Sequence, residues 1–111
     1  MIAIITNRAH WREAHSTGVF VTESLADEGF IHASTPEQVT GSANRHFAGQ
    51  HDLVLLCIDP ARVRAEIRYE GRPGGTQYPH LYGPLNLDAV VTVLDLPAGP
   101  EGSFSLPEGI A

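Results

Sequence analysis

Apolar residues along the chain fall into short runs divided by turn formers, and each run has its own period. "IAII" at residues 2–5 is continuous and predicts a strand. "NRAHWREAH" follows with helix-compatible residues, Thr6 or Asn7 as N-cap, and Gly18 beyond its end. Thr22 is placed to cap a short helical turn, "ESLADE", which Gly29 stops. "FIHAS" then predicts a strand. The clearest local signal is "STPEQV", with Thr35 as N-cap, Pro36 at the first helical position and Gln38 three residues after the cap. That helix is expected to run to about Ala48, with Val39, Ala43, His46 and Phe47 on its inward stripe. Gly41 costs it about 1 kcal/mol relative to alanine, a cost that close packing would explain.

"DLVLLCI" is an unbroken apolar run with β-branched content, as a central strand covered on both faces would be. "DPARV" is a capped turn, "AEIRYE" alternates like a half-exposed strand, and "GRPGGTQ" is a flexible loop. The second histidine segment, "YPHLYGPL", and the strand "AVVTVLDL" come next. Residues 97–111, rich in proline, glycine and serine, read as a poorly ordered tail. Helices early and strands late give a single α+β domain over residues 1–96.

The length of 111 residues suits one core, and 42 % apolar content is in the globular range. Thirteen acidic residues outnumber seven arginines, there is no lysine, and the net charge of −6 argues against a nucleic-acid partner. The lone cysteine, Cys57, sits in "LVLLCI" as an inert buried thiol, and the absence of a second cysteine fits a reducing compartment. No signal-peptide pattern opens the chain and no run nears the ~20 apolar residues of a membrane helix. A cytoplasmic protein without a membrane partner is expected.

Two histidines interrupt apolar runs. In an extended "FIHAS", Phe30, His32 and Ser34 share one face and Ile31 and Ala33 the other. His32 therefore either lines a cleft or is a partly buried ring bonded to backbone. In "PHLYG", His80 and Tyr82 share a face, Pro79 and Pro84 oppose helix, and Gly83 allows a bend or a close backbone approach. Glu70 is the carboxylate nearest in sequence to His80, and reads as a general base or as a solvated strand end. Trp11, between His10 and His15, reads as an aromatic packed on a surface helix. Zinc accepts histidine and carboxylate, but His32, His80 and Glu70 lack the H-E-x-x-H or paired-cysteine spacing of a strong site. No metal is expected. There is no P-loop, no G-x-G-x-x-G and no G-x-S-x-G.

The blocks "SLADEGFIHASTPEQV", "ANRHF", "DLVLLCID" and "YPHLYGPLNLDAVV" resemble the short bacterial proteins grouped as domain of unknown function 952. The likeness covers about residues 2 to 95. It implies an ADP-ribosyltransferase-like fold, two small twisted sheets around a cleft that binds NAD. The strand "IHAS" is similar to the "VHLS"-like strand of tRNA 2′-phosphotransferases, which implies His32 as the cleft histidine. On the same resemblance Arg45 or Arg72 would hold a diphosphate and Tyr82 would stack on nicotinamide, with Ser34, His80 and Gly83 also in the cleft. Glu70 would supply the carboxylate for an NAD-dependent ADP-ribosyl or phosphoryl transfer. The rival expectation is a non-catalytic small-molecule-binding module, favoured because "AVVTVLDL" offers only Asp95 in place of a late E-x-E-like motif.

Overall fold

A computed structural model describes residues 1–99 and 101–109. It is an α+β fold of three small antiparallel sheets and three helices among those residues. The first sheet has the order β1 (Ile2–Asn7), β4 (Leu53–Ile58), β8 (Val90–Leu96), so the apolar run is the central strand. All six residues of β4 are buried. Strand alternation explains how one run serves two layers. Val54, Leu56 and Ile58 face one way with Ile2 and Ile4, meeting Phe20, Ile31, Leu81 and Leu85. Leu55 and Cys57 face the other way, with Ala3 and Val39.

The second sheet has the order β3 (Ile31–His32), β6 (Gln77–Tyr82), β5 (Glu66–Gly71). The third pairs β2 (Val19–Phe20) with β7 (Leu85–Asn86). The first and second sheets are stitched by a single bridge, Ala3 N to Ser34 O and Ser34 N to Ala3 O, both 2.8 Å. The glycine-rich segment closes the β5–β6 hairpin. Gly71 is required there, because a Cβ would lie 2.0 Å from the Thr76 carbonyl oxygen.

The three helices are α1 (Arg8–Thr17), α2 (Glu23–Glu28) and α3 (Val39–His46). Asn7 caps α1, its side chain accepting from His10 N–H at 2.7 Å. Trp11 packs beside His15 and Phe20, with ring centroids 4.8 and 6.4 Å away. The capping box is seen where Thr35 N–H donates to Gln38 Oε1 at 3.0 Å.

Several local expectations change. Thr22 stands at the N-cap of α2, but its hydroxyl bonds Ser24 Oγ at 2.7 Å rather than a backbone N–H. "FIHAS" keeps only two residues in β3: Ala33 N–H still reaches the Pro79 carbonyl of β6, but Ser34 turns away to β1. Pro36–Gln38 winds as a 3-10 turn before α3, and Phe47 closes the helix one residue before Ala48. On α3, Val39 and Ala43 are buried as expected, whereas His46 is exposed. Gly41 is not tightly packed: an added Cβ would meet only Arg45 Nη1, at 3.8 Å.

The segment after β8 carries an anchor. Phe104 is 4 % exposed and joins Ala43, Leu53 and Leu96 in a core cluster. Asn44 clamps its backbone, accepting from Phe104 N–H at 2.7 Å and donating to its carbonyl at 3.4 Å. Residues 100, 110 and 111 of the expected tail lie outside the described residues. Phe104→Ala is expected to lower unfolding stability by about 3 kcal/mol in denaturant titration, the cost of emptying a buried phenyl site. A loss below about 0.5 kcal/mol, the scale of a surface change, would mean the segment does not dock.

Candidate functional site

Beside the Ala3–Ser34 bridge lies a cleft of about 970 Å³, walled by β1, α3 and the β3–β6–β5 sheet. His32, Ser34, Arg45, Glu70, Arg72 and His80 all line it. The two histidines meet because they are cross-strand partners, His32 opposite His80, next to the buried pair Ile31 and Leu81. Their ring centroids are 5.3 Å apart, edge to face. Phe30 fills the corner, stacked on His80 at 4.0 Å and edge-on to His32 at 4.9 Å.

Each imidazole has a carboxylate. His32 Nε2 lies 2.9 Å from Glu28 Oε2, the last residue of α2. Gly29, at φ 91°, takes the left-handed conformation that ends α2 and lets the chain return to β3 within that reach. His80 Nδ1 lies 3.0 Å from Glu70 Oε1, reached diagonally across the β5–β6 ladder. The same Glu70 oxygen accepts the Tyr82 hydroxyl.

These contacts set the local electrostatics. Donation from Tyr82, and then from His80, holds the Glu70 carboxyl below its ordinary value. The same bond to Glu70 pushes the Tyr82 phenol up. For Glu70, whose value is lower in the folded state, the stabilisation is present above the ordinary carboxylate range. It is lost as pH falls through the lower folded value. For Tyr82 the stabilisation is present below the ordinary tyrosine value and is lost as pH rises through the higher folded one.

Tyr82 is therefore not a wall of the cleft. It is wedged between Phe30, with centroids 5.4 Å apart, and the Arg68 guanidinium, 4.5 Å from its ring centre. Gly83 also lies outside the cleft, where a Cβ would come within 3.1 Å of Ala65 Cβ, the close approach its sequence context suggested. Ser34 is buried, with its hydroxyl 3.1 Å from Ser42 Oγ.

Sequence reasoning passed over Tyr78, whose hydroxyl accepts from Arg45 Nη2 at 2.8 Å. Its signal was available, since period-two alternation places Tyr78 on the face of His80 and Tyr82. His10 was also missed as a cleft residue; its Nδ1 is 3.2 Å from Thr6 Oγ1 and its ring packs on Phe20. Glu28 carried no signal, because four-residue spacing across a helix end fixes no common face.

The arginines divide by partner. Arg8 pairs with Asp52 and Asp95, Arg62 with Asp59, Arg64 with Asp88 and Arg68 with Glu66. Arg12 is exposed on α1. Arg45 and Arg72 line the cleft and, among the described residues, have no carboxylate within salt-bridge distance. Nor do any three histidine, cysteine or acidic side chains among those residues form a group suited to a metal ion. No helix among them is long and apolar enough to cross a membrane.

Fold and motif together define a family: the chain belongs to the one described as Protein of unknown function (DUF952), which matches residues 5–93. It is similar to protein CC0527 from Caulobacter crescentus, at 37 % identity. The crystal structure of CC0527 matches with a TM-score of 0.84, over 95 % of this chain and 93 % of that one. A crystal structure of a double mutant of CC0527 gives the same values. Its solution NMR structure matches with a TM-score of 0.81, over 99 % and 96 %. No curated protein matches the chain.

If Tyr82 is the main support of the Glu70 carboxylate, Tyr82→Phe raises the Glu70 titration midpoint. Side-chain carboxyl ¹³C shifts followed from pH 7 downward read this directly. An unmoved midpoint would show that the phenol does not hold the carboxylate.

Proposed function

We propose that the cleft binds a nucleotide of the NAD or ADP-ribose type and serves transfer or cleavage of ADP-ribose. One observation carries this reading. In a chain of net charge −6, three arginines have no acidic partner among the described residues, and two of them, Arg45 and Arg72, line the cleft while Arg12 stands outside it on α1. A forked guanidinium without a carboxylate is ready for the oxygens of a diphosphate. Arg45 is further aimed by its bond to Tyr78.

Size and chemistry agree with the ligand. The cleft volume of about 970 Å³ lies at the upper end of small-molecule sites. The resemblance of "IHAS" to the strand of NAD-using phosphotransferases supplies the ligand class. His32, exposed at the rim, can bond a ribose hydroxyl. On this reading Glu70, held toward its ionised form by Tyr82 and His80 and lining the cleft, is the carboxylate available to a ribose turning cationic. The same reading gives Glu70 of β5 the part of the E-x-E-like motif that "AVVTVLDL" lacks.

Titration with NAD and with ADP-ribose, followed by amide chemical shifts, tests the reading. Saturable shifts are expected at residues 30–34 and 78–80. Arg45→Ala and Arg72→Ala should each weaken binding about tenfold or more, since a hydrogen bond to a charged group contributes about 1.5–3 kcal/mol. Binding without release of nicotinamide would identify a ligand-binding module. No shifts at millimolar concentrations of either compound would reject the nucleotide.

A further inference from the structure

The two cleft imidazoles are not equivalent. The His32 side chain is 57 % exposed, whereas that of His80 is 13 % exposed and clamped against Phe30. His80 Nδ1 is committed to Glu70. Its Nε2 meets no protein partner, yet among the described residues no side-chain nitrogen or oxygen is both buried and unpartnered. Nε2 therefore keeps some exposure to solvent, on a residue that lines the cleft.

An ionised carboxylate only accepts hydrogen bonds. Glu70 beside Nδ1 thus selects the neutral ring that carries its proton on Nδ1 and a lone pair on Nε2. Tyr82 donates to Glu70 and keeps the carboxylate from turning away. A base facing an open cleft, oriented by a second group and braced by a third, is the arrangement that activates a weak nucleophile.

We propose that His80 is the general base of the cleft, positioned by Glu70 and Tyr82, and that it activates a hydroxyl, of water or an alcohol, for attack on the ribose. The proposal rests on the nucleotide reading above and names the acceptor class for it. His80 Nε2 takes the hydroxyl proton as the oxygen's electron pair bonds to ribose C1′ of NAD. The C1′–N bond breaks with its pair returning to the pyridinium nitrogen, so nicotinamide leaves neutral. The imidazolium formed is held by Glu70 at Nδ1 and then passes its proton to solvent. A hydroxyl gains most from such a group, because it is a poor nucleophile until its proton is being removed. The charged and titratable groups around His80 are Glu70 and Arg68 from β5, His32 from β3 with Glu28 behind it, and Tyr78 and Tyr82 of its own strand.

Two measurements on the intact protein test it. Long-range ¹⁵N–¹H correlation in the free protein reads the ring of His80, and the Nδ1–H tautomer is expected; Nε2–H would overturn the proposal. Incubation with NAD in water and in aqueous methanol should yield nicotinamide with ADP-ribose or its methyl glycoside. His80→Ala should lower release about 100-fold while NAD affinity stays within about threefold. Glu70→Gln should weaken the Nδ1–H preference in the same correlation and lower nicotinamide release, a spectroscopic change that a purely structural role would not produce. Equal turnover by His80→Ala, or NAD-induced shifts without nicotinamide release in the wild type, would overturn the base and leave the nucleotide reading standing. Absence of any NAD-induced shift would remove both.

Discussion

Burial of Ile31 and Leu81 pins the register on which the cleft depends. Both are fully buried, and they face each other across β3 and β6. Because strand side chains alternate, a slip of one residue would drive an imidazole into the core and an aliphatic side chain into the cleft. The core contacts of Ile31 and Leu81 thus hold His32 opposite His80, although neither aliphatic residue touches the cleft. β3 needs only two residues to do this. Ser34 then leaves for β1, and that departure joins the sheets at one point and leaves room beside it.

Charge is organised by the same economy. A chain with nearly twice as many acids as arginines satisfies most of its guanidinium groups on the surface, where exposed pairs add little stability. What the pairing does is spatial. It leaves two of the three uncompensated guanidinium groups, Arg45 and Arg72, on the wall of the cleft. Glu70 differs from Glu28, the other acid paired with an imidazole, in holding a phenol as well.

Features legible in the sequence are those fixed by neighbours in the chain. The all-apolar "LVLLCI" could only be a strand covered on both sides, and the Thr35, Pro36 and Gln38 signature marked its helix start. The shared face of His80 and Tyr82 followed from alternation. Unreadable features depend on residues brought together by the fold. Glu70 reads as a solvated strand end until the hairpin sets it against His80 and Tyr82. Tyr82 reads as a cleft aromatic until Arg68, two residues before Glu70, is seen covering its ring. His46 misled because helical spacing does not reveal that the cleft opens beside α3. Phe104 was hidden in a low-complexity stretch, and its order comes from a core cluster and the Asn44 clamp that the fold brings to it.

Cys57 gives the central strand a consequence of its own. Its thiol is fully enclosed in β4, and burial pushes its ionisation up. Neither α3 lifting alone nor β8 peeling from the sheet edge frees the whole strand, because β1 still holds its other side. Alkylation of this single sulfur therefore acts as a clock for complete opening of the domain, with no second cysteine to confuse the count. Any ligand that grips the closed form would slow that clock, whichever chemistry the cleft performs.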